Sequence, residues 1–240
     1  MITVEKMLNS SVHLGHKVKQ WNPRMRIYIY GERKGLHIID LLQTIVCLKK
    51  ACNFLIRSVR KGKRALFVCT KRFFSILTQK IALKCNSFFV TKRWLGGILT
   101  NWITIKNCIN KLKQLSKQKE KHHNLLTKKE RLVLKKKKLK LKKYFSGMRD
   151  MTERPEIVII IGQNKEINAV RECKKLGIAS ITILDTNCDP TLTKYPIPSN
   201  DDSILSVSLI LSVLCNSINR GVNNKVRQKF DKYKKFKKLS

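Results

Sequence analysis

Acidic side chains are scarce in this chain: 15 Asp+Glu stand against 52 Lys+Arg, a formal net charge of +37 over 240 residues. A free globular protein with that imbalance repels itself, so the composition calls for a polyanion whose phosphates release condensed counterions on neutralisation. Nucleic acid is the default. An anionic membrane surface would require a basic amphipathic helix beside a broad apolar face, which only the C-terminal tail approaches. Paired cysteines are absent too: Cys47, Cys52, Cys69, Cys85, Cys108, Cys173, Cys188 and Cys215 include no C-x-x-C, which argues against zinc and disulfide frameworks and for buried, reduced thiols. No G-x-G-x-x-G and no G-x-x-x-x-G-K-[ST] occurs, so a dinucleotide grip or P-loop is not expected. The longest apolar stretch, Ile204 to Cys215, is interrupted by Ser206, Ser208 and Ser212 and is too short to span a bilayer. The opening residues, with Glu5 and Lys6, do not read as a signal or transit sequence.

Hydrophobic residues make up 42% of the chain, enough for a real core. Residues 1 to 40 read as an arm with a hairpin, its β-like runs being Ile27 to Tyr30 and Leu36 to Ile39 around Gly31 and Gly35. Asp40 caps a helix with Leu41, Ile45, Leu48, Cys52, Leu55 and Val59 on one stripe, and Thr70 caps another running to about Lys84. Ala65 to Cys69, Phe88 to Val90, Ile157 to Ile161 and Ile181 to Leu184 read as strands. Gly177 ends a helix from Lys165, and Gly221 ends one from about Ser203. Apolar strands alternating with helices predict an α/β domain with a parallel sheet covered on both faces.

An insertion, residues 103 to 146, splits that domain. One helix runs from Trp102 to about Lys119, a polar turn follows near His122 to Asn124, and a Thr127-to-Glu130 capping box opens the second helix. The pair should fold back as an antiparallel hairpin, with Leu125, Leu132 and Leu139 as a coiled-coil seam and Leu134 and Leu141 on the opposite face. Lys111 to Lys143 holds 15 Lys+Arg with only Glu120 and Glu130 as acids, a local net of +13 that favours phosphate contact over simple solvation. The organisation expected is 1–102 arm and first part of the domain, 103–146 basic hairpin, 147–221 second part, and 222–240 basic tail, in which Val222, Val226, Phe230 and Tyr233 fit one helical face.

Several constellations bear on chemistry. KRWLGGILTNW, Lys92 to Trp102, joins cations to a glycine pair and two indoles whose faces suit bases or core packing, with Thr100 or Asn101 placed to cap the next helix. DTNCDP, Asp185 to Pro190, follows a strand at the sheet's C-terminal edge, where open α/β folds place ligands. With Asn200-Asp201-Asp202 it could hold Mg²⁺ or a sugar hydroxyl, although turn and cap formation explains it more simply. His13 and His16 flank Leu14-Gly15, and the glycine argues against a helical metal pair.

Motifs in order, HLGHKVKQWNPRM, GERKGLHIIDL, FVCTKR, KRWLGGILTNW, TKKE, SGMRDM, DTNCDP and IPSNDD, make the chain resemble the S-two family of small-subunit ribosomal proteins in its bacterial and organellar form, from about Leu8 to Gly221. RECKKLGI and LTNW are most similar to plastid members. The resemblance implies a flavodoxin-like or Rossmann-like sheet with a protruding helical hairpin and no enzymatic activity; no cofactor, no metal, no membrane and no homo-oligomer are expected. It implies small-subunit rRNA and neighbouring small-subunit proteins as partners, in a plastid ribosome, with a mitochondrion or bacterial cytoplasm as the other settings. The RNA-contacting residues it points to are those of WNPRM and KRWLGG, among them Trp21, Asn22, Arg24, Lys92, Arg93, Trp94, Gly96 and Gly97; His16, Lys17, Arg26, Lys71, Arg72 and Asn101 are expected to join them. Gly162 stands where the family usually has aspartate, Ala179 where proline is common, and the hairpin is far more basic than usual. The competing expectations are an enzyme using Asp185 and Asp189 at the sheet edge, and a free-standing RNA-binding assembly factor.

Overall fold

Five strands form a wholly parallel sheet, in the order β5-β4-β6-β7-β8. They are β4 Ala65–Val68, β5 Phe88–Val90, β6 Ile157–Ile161, β7 Ala179–Leu184 and β8 Tyr195–Pro198. Counted from its own first strand, the sheet runs 2-1-3-4-5, the flavodoxin-like doubly wound order whose switch point lies between β4 and β6. The computed structural model describes residues 3–117 and 127–239, with side chains at 3–116 and 127–225.

Continuous apolar strands fold this way because both faces are covered. In β6 all five residues are buried; Ile157, Ile159 and Ile161 join the core under α2 (Leu41–Arg60), α3 (Arg72–Lys84) and α7 (Ile204–Leu239). Val158 and Ile160 enter the opposite core, shared with α4 (Trp102–Lys117) and α6 (Ile167–Leu176). Asp40 caps α2 as its sequence suggests, its carboxylate accepting from the Leu42 amide at 2.8 Å, and Gly177 closes α6 in the left-handed conformation.

The arm carries more order than a hairpin. A short helix α1 (Val4–Asn9) precedes β1 (Leu14–Lys17), which pairs with the far side of β3 (Leu36–Ile39). Residues Pro23–Tyr28 wind as a 3₁₀ turn, so the hairpin's first strand, β2 (Ile29–Arg33), starts two residues later than expected. Lys34 and Gly35, both at positive φ, supply the tight turn.

Three other expectations are corrected. Thr70 does not cap α3; Lys71 occupies that position without a side-chain cap, one residue later than expected, and the Thr70 amide donates to Glu166 at 2.7 Å. Strand β8, absent from the sequence reading, contains Pro196 and Pro198, which donate no ladder bond and so mask an edge strand. Helix α7 does not stop at Gly221. A Cβ there would lie 2.9 Å from Val59 Cβ and 3.0 Å from the Ile56 carbonyl oxygen, so this glycine serves a close α2–α7 crossing. The Ile204–Lys225 stretch of α7 is long and apolar enough to cross a membrane by composition, and its apolar face, Val207, Ile210, Leu211, Leu214 and Ile218, is packed into the core.

Both helices of the insertion form and lie against each other: α4, and α5 (Lys128–Phe145) with its Thr127–Glu130 capping box intact. The stripe of α5 that packs inward is Leu141 and Phe145, with Leu134 partly covered, while Leu132 and Leu139 of the expected seam are 52% and 58% exposed. The expected turn at His122 to Asn124, Glu120 and Leu125 lie outside the described residues, as do the side chains of Val226, Phe230 and Tyr233.

Candidate nucleic-acid interface

The structure gathers motifs scattered over almost 190 residues along one line, the C-terminal edge of the parallel sheet. Lys92 and Arg93 follow β5, and Lys71 and Arg72 follow β4. The arm reaches the same edge because Gly15 sits on DTNCDP. A Cβ there would come within 2.6 Å of the Thr186 methyl, and the next amide, of His16, donates to the Thr186 hydroxyl at 2.9 Å. WNPRM docks beside it: the Asn22 amide donates to the Thr186 carbonyl, and Met25 is buried with Leu184 and Cys188.

At the switch point, where a doubly wound sheet would take a ligand, the chain has put its own charges. The Lys71 ammonium lies 2.9 Å from Asp201 and 2.8 Å from Asp202. Gly162, at φ +78°, makes room: a Cβ would stand 3.0 Å from Lys71 Cε and 3.1 Å from Asp201 Oδ2. Burial works against the Lys71 charge, but the two aspartates outweigh it and hold the ammonium pKa above its usual value. His16 Nδ1 is 3.0 Å from Asp185, and that hydrogen bond, opposed by burial, raises the imidazole pKa. Glu166 is buried; desolvation raises its pKa, and the hydrogen bonds from Thr70 only partly offset it. His16, Asp185 and Asp201 bring three ligand atoms within 4.8 Å of one another, a donor set that suits a divalent cation, with Lys71 already neutralising Asp201. Asp189, the second carboxylate of the enzyme reading, caps the Pro190–Leu192 turn and pairs with Arg24, while Asp185 accepts from Thr186 and His16. Both edge carboxylates are thus engaged within the fold.

KRWLGG is a loop wrapped around one carboxylate. Glu172 of α6 accepts from the Trp94 indole N–H at 3.0 Å, the Gly97 amide at 2.9 Å, the Leu99 amide at 2.9 Å and the Thr100 amide at 3.2 Å. Burial alone would raise its pKa; the convergent donors overcome that and hold it below the usual carboxylate range. Gly97 adopts φ +89°, closed to most side chains. Trp94 and Trp102 are each 8% exposed and pack in the core, so of the two roles open to these indoles the fold uses them for packing. Lys92 and Arg93, by contrast, point outward on a loop held rigidly from beneath.

The sequence-selected residues therefore divide. Lys17, Arg26, Arg72, Lys92 and Arg93 are exposed cations along the edge. Arg24 is exposed but already pairs with Asp189 and reaches Thr191. His16 and Lys71 are half-buried parts of the internal charge network. Trp21 leans on His37 at 5.2 Å between ring centroids, Asn22 caps the Pro23–Tyr28 turn, and Asn101 accepts from the Thr104 hydroxyl rather than capping α4 through a backbone amide. Gly96 has open space where a Cβ would stand. Glu172 and Glu166 were not among the selected residues. Their only sequence signal is rarity: an acid within and an acid just before an amphipathic helix in so cationic a chain.

A profile described as Ribosomal protein S2 matches residues 7–221. The chain is 51% identical over 222 residues to the small ribosomal subunit protein uS2c of Mesostigma viride, covering 92% of this chain and 97% of that protein. It is 47% identical over 221 residues to the uS2c protein of Galdieria sulphuraria, covering 92% and 94%. It is also 43% identical over 234 residues to the small ribosomal subunit protein uS2 of Trichodesmium erythraeum, covering 97% and 86%.

Proposed function

The chain belongs to the ribosomal protein S2 family, and from that premise we propose that it is a structural, non-catalytic constituent of a plastid small ribosomal subunit that binds the small-subunit rRNA. The uS2c names of its relatives and the plastid-like wording of RECKKLGI and LTNW support the compartment. The observation that carries the RNA reading is the set of exposed cations, Lys17, Arg26, Arg72, Lys92 and Arg93, around a sheet edge whose switch point is occupied by the ion pairs of Lys71 with Asp201 and Asp202. An edge whose carboxylates are already engaged by Lys71, His16 and Arg24 leaves few free groups for catalysis, and its outer cations suit a phosphate backbone.

The mechanism is positioning. Each cation that meets a phosphate releases counterions and adds affinity without reading sequence. Glu172 fixes the angle at which Lys92 and Arg93 leave the loop, so register comes from a rigid scaffold rather than from base contacts. Neighbouring small-subunit proteins complete the surroundings.

Sedimentation of tagged protein after a moderate salt wash tests this reading. Comigration with mature small subunits is expected, and the double variant Lys92→Ala/Arg93→Ala should incorporate several-fold less well while unfolding at the same denaturant concentration as the parent. Release by the salt wash would favour a free assembly factor, and saturable binding of a nucleotide or sugar phosphate by the isolated chain would favour the enzyme; either result overturns the proposal.

A further inference from the structure

Helix α5 has two faces with opposite fates. Leu141 and Phe145 lie in the core with Ile105, Ile109 and Leu112 of α4, and Leu134 falls on the same side. Two residues round the helix, a second stripe at i, i+4, i+7 and i+11 reads Leu132, Lys136, Leu139 and Lys143, all exposed. Lys135 and Lys140 flank it, also exposed. Nothing acidic answers these charges among the described residues of the insertion. Glu130 is folded back on Thr127, whose amide and hydroxyl donate to it at 2.9 Å and 2.8 Å, so it is committed to the cap. Across the helix pair, Lys137 comes close enough to Lys111 that the second ammonium lowers its pKa. A solvated helix of mixed charge would relieve such crowding with local carboxylates; this one has kept lysines where acids would fit.

We propose that the outward face of α5, Lys135, Lys136, Lys140 and Lys143 around Leu132 and Leu139, docks on the sugar-phosphate backbone of the small-subunit rRNA as a second contact, separate from the sheet edge. The proposal rests on the ribosomal reading above. Lysines at successive helical turns track a line of phosphates, and the two leucines between them meet the apolar side of the sugars. An acidic protein is the other occupant such a face would accept, and its charge would have to be concentrated to match a local net of +13.

The full-length chain is titrated with small-subunit rRNA across a series of KCl concentrations, alongside the variant Lys135→Gln/Lys136→Gln/Lys140→Gln/Lys143→Gln. Glutamine keeps helix propensity, and circular dichroism verifies that α5 survives. The slope of log Kobs against log salt should fall in magnitude by about 3, at ~0.7–0.9 for each phosphate contact removed. In assembled subunits the same variant should lose hydroxyl-radical protection of an rRNA segment other than the one exposed by Lys92→Ala/Arg93→Ala. An unchanged slope and footprint, or crosslinks from α5 to protein alone, overturn the inference while leaving ribosomal membership intact. Failure of the parent chain to comigrate with small subunits would instead remove the ribosomal reading, and this inference with it.

Discussion

Glu172 shows how much one carboxylate can organise when acids are few. Its oxygens take donors from Trp94, Gly97, Leu99 and Thr100, so truncation strands several N–H groups at once. Glu172→Ala should cost about 2 kcal/mol, the scale of hydrogen bonds to a charged acceptor, tempered by partial exposure. Because the folded pKa is lowered, this stabilisation is fully present above the unfolded value and is lost as pH falls through the folded one. Urea midpoints of parent and variant should therefore be well separated at pH 7 and converge in acid. Glu166 has the opposite sign. Burial raises its pKa, the native state holds the proton more tightly, and its contribution worsens as pH rises through the interval between unfolded and folded values. Glu166→Gln, which keeps an oxygen for the Thr70 amide, should match or exceed the parent's stability at pH 8, and a clear loss there would refute the buried-charge account. Neither role could be read from sequence, because Glu172 stands 72 to 78 residues from its partners in the loop and Glu166 stands 96 from Thr70, and only the fold brings them together; what is legible is that Lys92, Arg93 and the two glycines form an unusual loop.

Elements were legible wherever one periodicity acted alone. The α2 stripe with its Asp40 cap, the apolar run of β6 and the Gly177 stop of α6 each appear where their residues put them. Misreadings fell where a residue had two physical uses. Proline hid β8 because it cannot donate along a ladder, yet an edge strand tolerates it. Gly221 looked like a terminator but is a contact point, and the difference is measurable. In an exposed helix interior Gly→Ala gains up to ~1 kcal/mol. Here the methyl would press on Val59 and the Ile56 carbonyl, so Gly221→Ala should instead destabilise by about 1–3 kcal/mol, the usual cost of overpacking. A thermal unfolding scan of the variant decides between helix stop and helix crossing by the direction of the shift alone. On α5 the series that packs inward holds Leu141 rather than Leu132 and Leu139, since two leucine series share the helix and sequence spacing does not say which one α4 covers.

At the scale of the whole molecule, the few acids are distributed unevenly. Of the 15, Asp40 and Glu130 cap helices, Glu172 holds a loop, Glu166 binds the Thr70 amide, and Asp185, Asp189, Asp201 and Asp202 serve the sheet edge. Half of the negative charge is thus spent on internal architecture, and the surface cations have little left to pair with. Two consequences of opposite sign follow. Added salt screens self-repulsion over a Debye length of about 10 Å at 0.1 M, so it should raise the melting temperature of the isolated chain. The same salt competes for phosphates and should weaken rRNA binding by ~10³-fold or more between 50 and 200 mM if six or more contacts form. Melting scans and binding titrations on one preparation over that range test both. Stability falling with salt would mean that the surface charges are balanced within the fold, and the need for an anionic partner would lose its physical basis.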